Sequence, residues 1–246
     1  MSKLIKNMST QLLVSLYPSN IYCMCCGDTI DATRMHGLCD TCIKTIPWDI
    51  HNPFESSMEE FAFDDVWPVA RYGFHVRGML YNLKLHGKTY MARNMGALLA
   101  ERVLLERVNI DALVAVPLFK AKEKRRGYNQ AGLLAEYASK RLSVPFWKCA
   151  LEKSCETGSI RMSDLTARRS MLSGAFRVPN QYADKIKGKY VLLVDDVCTT
   201  GSTADACARA LKASGAERVV VLCFAASAGY RKFDEQEERA SSYLNR

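Results

Sequence analysis

The stretch that most narrows what this chain can fold into is Val191-Leu-Leu-Val-Asp-Asp-Val-Cys-Thr-Thr-Gly-Ser-Thr203. Four consecutive apolar residues, Val191 to Val194, suit a strand buried on both faces, as in a parallel sheet covered by helices. The apolar run stops at two adjacent acids, Asp195 and Asp196, followed by a short hydroxyl-rich loop. Beyond it the pattern turns helical. Ser202 or Thr203 is predicted to cap a helix whose Ala206, Ala210, Leu211 and Ala213 recur at helical spacing until Gly215 stops it.

A strand, a tight loop and a helix N-terminus converge backbone N–H groups on one point, with the positive end of the helix dipole behind them. The loop Thr199, Thr200, Gly201, Ser202 and Thr203 can therefore hold a phosphate, and Gly201 lets the main chain approach it closely. Asp195 and Asp196 would repel that phosphate. They are better suited to accepting hydrogen bonds from a sugar diol and to helping hold Mg2+, which takes oxygen ligands. Receiver and phosphatase-type folds also end a parallel strand in paired acids, but they do not follow it with Thr-Thr-Gly-Ser-Thr. A ligand with a phosphate on one side and a ribose on the other fits both halves. The thirteen-residue run Val191 to Thr203, in which Asp195, Asp196, Val197, Cys198 and the loop to Thr203 would contact the ligand, resembles the 5-phosphoribosyl-1-pyrophosphate (PRPP) binding signature of the type I phosphoribosyltransferases.

Other short strands alternate with helical patterns. Phe63 to Tyr72 has strand-like alternation, residues 75–86 and 90–107 read as helices, and Ala112 to Val116 reads as another buried strand. A basic connector follows, with Lys120, Lys122, Lys124, Arg125 and Arg126, and Gly127 ends it. Tyr128-Asn-Gln130 opens a helix to about Arg141, Phe146 to Leu151 suggests a further strand, and Gly174-Ala-Phe176 leads into a short one. Val219 to Ala225 is the last strand. The pattern predicts an α/β fold with a doubly wound, mostly parallel sheet and its ligand at the C-terminal ends of the strands. Residues 153–173 are polar and would suit a cover over the site, and 49–60 read as an acidic linker. Lys84, His86 and Lys88 surround a glycine helix stop at Gly87, which reads equally as an anion contact or as a basic helix end complementing its dipole.

The cysteines are unevenly placed. Five of the ten fall between Cys23 and Cys42, four of them in two CxxC pairs, Cys23 with Cys26 and Cys39 with Cys42, and the fifth is Cys25. Four thiolates at this spacing can close a tetrahedral shell around Zn2+, with Cys25 a spectator or a substitute for one of them. Redox-active thiols and an iron–sulfur cluster are the alternatives. Too few apolar residues lie between the pairs to form a core, so a bound metal would supply most of this module's folding free energy, a structural role. Cys207 and Cys223 sit in apolar patterns and read as small core residues. Such usage suits a reducing cytoplasm. Residues 4–17 suit a short amphipathic helix ended by Pro18, without the long apolar region and cleavage site of a secretory leader, and no stretch is long and apolar enough to span a membrane. Two domains are expected, 1–48 with the helix and cysteine module and 60–230 with the sheet. A net charge of +8 favours anionic partners, whether nucleotides, pyrophosphate or nucleic acid.

A zinc-ribbon-like cysteine module ahead of a PRPP-type domain resembles the ComF/ComFC family, phosphoribosyltransferase-like proteins of natural competence and DNA uptake. The resemblance is carried by the CxxC pairs, Leu83-Lys-Leu-His-Gly-Lys88, Val116-Pro-Leu118, Arg126-Gly-Tyr-Asn-Gln130, Gly174-Ala-Phe176 and the acid-and-turn signature. Arg-Gly-Tyr-Asn-Gln is its most family-specific element. The chain departs from the family where Ile160 and Met171 occupy the places of an expected Gln and Asn. The resemblance implies PRPP or a related ribose phosphate as ligand with Mg2+, and partners that include single-stranded DNA and other DNA-uptake proteins. It also implies that the basic loop lies over the pyrophosphate, with Lys84, Lys120 and Arg126 as its cations. A solvated loop and contact with nucleic-acid phosphates are the other readings of that loop. If the site is catalytic, pyrophosphate leaves through a cation-like ribosyl transition state steadied by Asp195 and Asp196. A phosphoribosyltransferase of nucleotide or salvage metabolism with no DNA role is the alternative.

Overall fold

The computed structural model describes residues 21–31, 33–154, 172 and 174–227. The expected N-terminal helix, the C-terminal tail beyond Tyr230 and most of the polar cover, including Ile160 and Met171, lie outside them. The described chain divides after Ile46 into two compact units.

In the first unit a bridge between Tyr22 and Thr29 opens a tight knuckle, in which Cys23 N–H donates to the Asp28 carbonyl at 2.7 Å. A 3-10 turn, Met35–Gly37, precedes helix α1, Asp40–Thr45, whose first turn is capped by Cys39 Sγ accepting from Cys42 N–H. Among its described residues the buried apolar ones are few: Met24, Leu38 and Ile46 beside Cys23 and Cys42.

The second unit begins at Pro47. The stretch 49–60, read as a linker, is built into it: Asp49 N–H donates to the Val69 carbonyl at 3.2 Å, Asn52 donates to Asp65 Oδ1 at 2.8 Å, and a 3-10 turn spans Glu55–Glu60. Its one phenylalanine ring, Phe54, packs with Phe61 and Phe63 just beyond it, the three centroids 4.6–6.1 Å apart. There follow β1 Asp65–Arg71, α2 Phe74–Leu85, α3 Met91–Leu105, β2 Ala112–Ala115, α4 Lys120–Arg126 and α5 Gln130–Leu142. Then come β3 Glu152–Lys153, β4 Phe176–Arg177, α6 Asn180–Ile186, β5 Tyr190–Cys198, α7 Ser202–Ala213 and β6 Arg218–Ala226.

The main sheet has the order β1-β6-β5-β2 and every pairing in it is parallel. The strand expected over Phe146 to Leu151 shrinks to one parallel bridge between Phe146 and Leu113, and the chain turns instead into the antiparallel pair β3–β4. The basic connector is a helix, α4, because Lys, Ala, Glu and Arg are all good helix formers. Side chains alternate across β5 and β6. Val191, Leu193, Val219, Val221 and Cys223 join Ala204, Cys207, Ala208 and Leu211 of α7 in one core layer. Leu192, Val194, Val220 and Leu222 are equally buried and point to the opposite face. There α3 and α5 pack so closely that a Cβ on Gly96 would stand 2.5 Å from Tyr137 Cβ. Helices on both faces make the sheet doubly wound, and Cys207 and Cys223 are core residues as expected. Among the described residues no helix is long and apolar enough to cross a membrane.

Candidate functional site

The acids lie inside β5 rather than after it, since the strand keeps its register with β6 to the pair Cys198 and Ala226. Adjacent strand residues point to opposite faces, so Asp195 and Asp196 approach the end of the sheet from its two sides. Asp195 accepts a hydrogen bond from Asp196 N–H at 2.8 Å, and Asp196 accepts one from Val197 N–H at 2.9 Å. The Asp195 carboxyl keeps some open surface yet is hemmed in by protein. That burial, and then the neighbouring Asp196 charge, push it well above the usual carboxylate range, while Asp196 N–H and Lys84 pull the other way. A cation placed there would relieve both penalties, and oxygen donors of this kind fit Mg2+. Asp196 is buried, and its second oxygen lies 2.6 Å from Lys84 Nζ at the end of α2. The contact is an ion pair without normal hydrogen-bond geometry at that oxygen. Two groups assigned from sequence to different parts of a ligand therefore hold each other.

The turn that follows is fixed by packing rather than by the expected hydroxyl cap. Gly201 occupies the N-cap position of α7 with φ +73°, and no side chain caps the helix. The Thr200 and Ser202 hydroxyls bond each other at 3.0 Å instead. A Cβ on Gly201 would lie 2.9 Å from the Phe61 ring, so glycine is required both by backbone angle and by space. Asp205, in the first turn of α7, ties the Phe61 segment down by accepting from Ala62 N–H at 2.7 Å, and it pairs with Arg209 at 3.0 Å. Thr199 is exposed, Thr200, Thr203 and Val197 are half-buried, and Cys198 and Ser202 are buried. Burial, then the Asp195 charge, push the Cys198 thiol up, leaving it a packing residue.

Lys84 also lines a cavity of about 280 Å³, together with Leu85, Gly87, Lys122, Arg125, Arg126 and Tyr128. The Arg-Gly-Tyr-Asn-Gln element splices its walls together. Arg126 donates to Gln130 Oε1, and the Tyr128 hydroxyl donates to the Leu83 carbonyl at the end of α2. Asn129 donates to the Val116 carbonyl at 3.0 Å while its Oδ1 accepts from Ala131 N–H at 3.1 Å, capping α5. Of the three cations expected at the pyrophosphate, Lys84 and Arg126 line this cavity and Lys120 does not. Lys122, Arg125 and Tyr128 were missed. On a helical projection Lys122, Arg125 and Arg126 share one side of α4 and Lys120 falls opposite, a grouping visible only once the connector is read as a helix. The turn Thr199–Thr203 does not line this cavity; the Lys84–Asp196 pair is the link between the two.

In the first unit the sulfurs of Cys23, Cys26, Cys39 and Cys42 all lie within 4.8 Å of one another. Cys25 is not among them. Burial raises the Cys23 thiol, but N–H groups of Cys26, Cys39 and Cys25 outweigh it and bring the thiol down to about 7. Burial first, and then neighbouring thiols, push Cys26 and Cys42 up. Crowded sulfurs that resist ionisation together, one of them already acidic, are the donor set a metal such as zinc would organise.

The phosphoribosyl transferase domain model matches residues 124–242. The chain is 29% identical over 207 residues to the DNA utilization protein YhgH of Escherichia coli O157:H7, covering 82% of each chain. It is 27% identical over 206 residues to Competence protein F of Haemophilus influenzae, covering 81% of this chain and 82% of that one. Competence protein ComFC of Bacillus subtilis is 33% identical over 103 residues, 42% of this chain and 39% of its own.

Proposed function

The chain is of the ComF/ComFC family and carries a phosphoribosyltransferase domain, and from that premise we propose that it binds PRPP or a related ribose phosphate with Mg2+ and takes part in DNA uptake, handling incoming single-stranded DNA in the cytoplasm. The observation that carries the ligand reading is the delivery, by one strand, of two adjacent acids, Asp195 half-buried and Asp196 buried, to a glycine-pinned turn at a helix N-terminus, with a cation-lined cavity joined to Asp196 through Lys84. In this reading Thr199 to Thr203 take the 5-phosphate, Asp195 and Asp196 take the ribose and share the Mg2+, and Lys84 and Arg126, with Lys122 and Arg125, take the pyrophosphate. Lys120, on the far side of its helix, contributes only charge at a distance. Lys84 pairs with Asp196, and a Mg2+ held by the acids would free it for the pyrophosphate. The cysteine cluster holds a structural Zn2+ that supports the first unit.

The reading is tested by thermal unfolding with PRPP and Mg2+, alongside gel retardation of single-stranded DNA. The wild type is expected to gain stability with ligand, the Asp195→Asn/Asp196→Asn variant to gain none, and retardation to weaken steeply as salt rises. A flat melting temperature together with no retardation at low salt would remove the proposal. A ligand response without DNA binding would favour a phosphoribosyltransferase of nucleotide or salvage metabolism.

A further inference from the structure

Helix α2 buries Val76, Met79, Leu80 and Leu83 along one side and leaves Phe74, Tyr81 and Leu85 on the other. These three are 65%, 52% and 61% exposed. They recur at i, i+7 and i+11, with Gly78 between them, so they form one stripe about 16 Å long on the solvent side of the helix. Apolar residues opposite a buried face are not needed by the fold. The helix carries no acid, and its cations Arg77 and Lys84 lie along the same flank of the stripe. At the C-terminal end the stripe runs into the basic cavity, because Leu85 belongs to both. Its rings also touch histidines, Phe74 against His75 and Tyr81 against His86, at 5.6 and 5.2 Å between centroids.

A row of exposed rings flanked by cations and ending in a cation-lined cavity has two common occupants, a protein surface or an unpaired nucleic-acid strand. Charge decides between them. A symmetric contact with a second copy through this face would set Lys84, Lys122, Arg125 and Arg126 near their own equivalents, and repulsion between like charges opposes it. A single strand answers both features at once, since its bases offer flat faces to rings and its phosphates answer the cations. We propose that the exposed face of α2 is a stacking platform for the bases of a single nucleic-acid strand whose phosphates run into the Lys84, Lys122, Arg125 and Arg126 cavity. The proposal rests on the DNA-handling reading above and gives it a surface. Because the strand and a pyrophosphate use the same cations, the two ligands exclude each other.

The test measures fluorescence anisotropy of a labelled oligo-dT strand with the full chain, in the wild type, in Phe74→Ser/Tyr81→Ser, and in Phe74→Tyr/Tyr81→Phe. The serine variant is expected to bind at least tenfold more weakly, with its melting temperature and its response to PRPP with Mg2+ unchanged, and the ring-preserving variant to bind as the wild type does. Added PRPP with Mg2+ is expected to release the strand. Equal binding by wild type and serine variant would overturn the platform and leave the DNA reading standing. No binding by the wild type would remove both. A wild-type dimer in light scattering that becomes a monomer in the serine variant would assign the stripe to a second copy and overturn the proposal.

Discussion

Asp195 is the residue at which fold and function pull against each other most openly. Its carboxyl is pushed up by burial and by Asp196, so the folded protein holds that proton more tightly than the unfolded chain does. Below the ordinary carboxylate range, about 4, both states are protonated and the site costs nothing. As pH rises, the unfolded chain ionises first and the folded state loses ground until the raised folded value is passed. Asp195→Asn should therefore melt at a higher temperature than the wild type at pH 7, with the gap closing as pH falls through 4; an equal or lower melting temperature at pH 7 would show that the carboxylate is already compensated. Gly201 makes the complementary case. With φ at +73° and Phe61 2.9 Å from any added Cβ, Gly201→Ala should lose about 1–3 kcal/mol by denaturant unfolding and weaken ribose-phosphate binding with it.

Among the elements, α3 and α5 depend on one missing side chain. Gly96 sits 2.5 Å, by its would-be Cβ, from Tyr137 and near the α5 backbone, so Gly96→Ala should cost about 1–3 kcal/mol despite alanine's better helix propensity. A stability unchanged or improved in urea would mean that the two helices can separate freely. The strongly periodic elements were legible in the sequence, namely α2, α3, α5 and the apolar halves of β5 and β6, because burial there depends only on spacing. Three elements were not. The basic connector reads as a loop by charge but is α4 by propensity, and with it went the grouping of Lys122, Arg125 and Arg126. Phe146 to Leu151 has the composition of a strand but finds only Leu113 as a partner at the sheet edge. The acidic stretch 49–60 looks like a linker because its one phenylalanine ring, Phe54, stands among polar residues, and nothing local reveals that it meets Phe61 over Gly201. The acid-and-turn signature was the most legible part of the site, but its ion pair with Lys84 joins residues far apart in sequence and is visible only in three dimensions.

At the scale of the whole molecule, two compact units meet the cost of folding in different ways. The second buries continuous apolar layers on both faces of its sheet, whereas the described residues of the first bury little more than Met24, Leu38 and Ile46 around their sulfurs. Chelation of the proposed zinc should therefore abolish amide-exchange protection across residues 21–46 while residues 47–227 keep theirs; protection that survives in 21–46 would mean that the unit folds without metal. The central claim concerns the second unit, that its paired acids and glycine-pinned turn receive a phosphorylated sugar. Calorimetric titration of PRPP with Mg2+ into the full chain and into Asp195→Asn/Asp196→Asn tests it most directly. Saturable heat at one site in the wild type and none in the variant is the expected result, and equal heats in both, or none in the wild type, would contradict a ribose-phosphate site there.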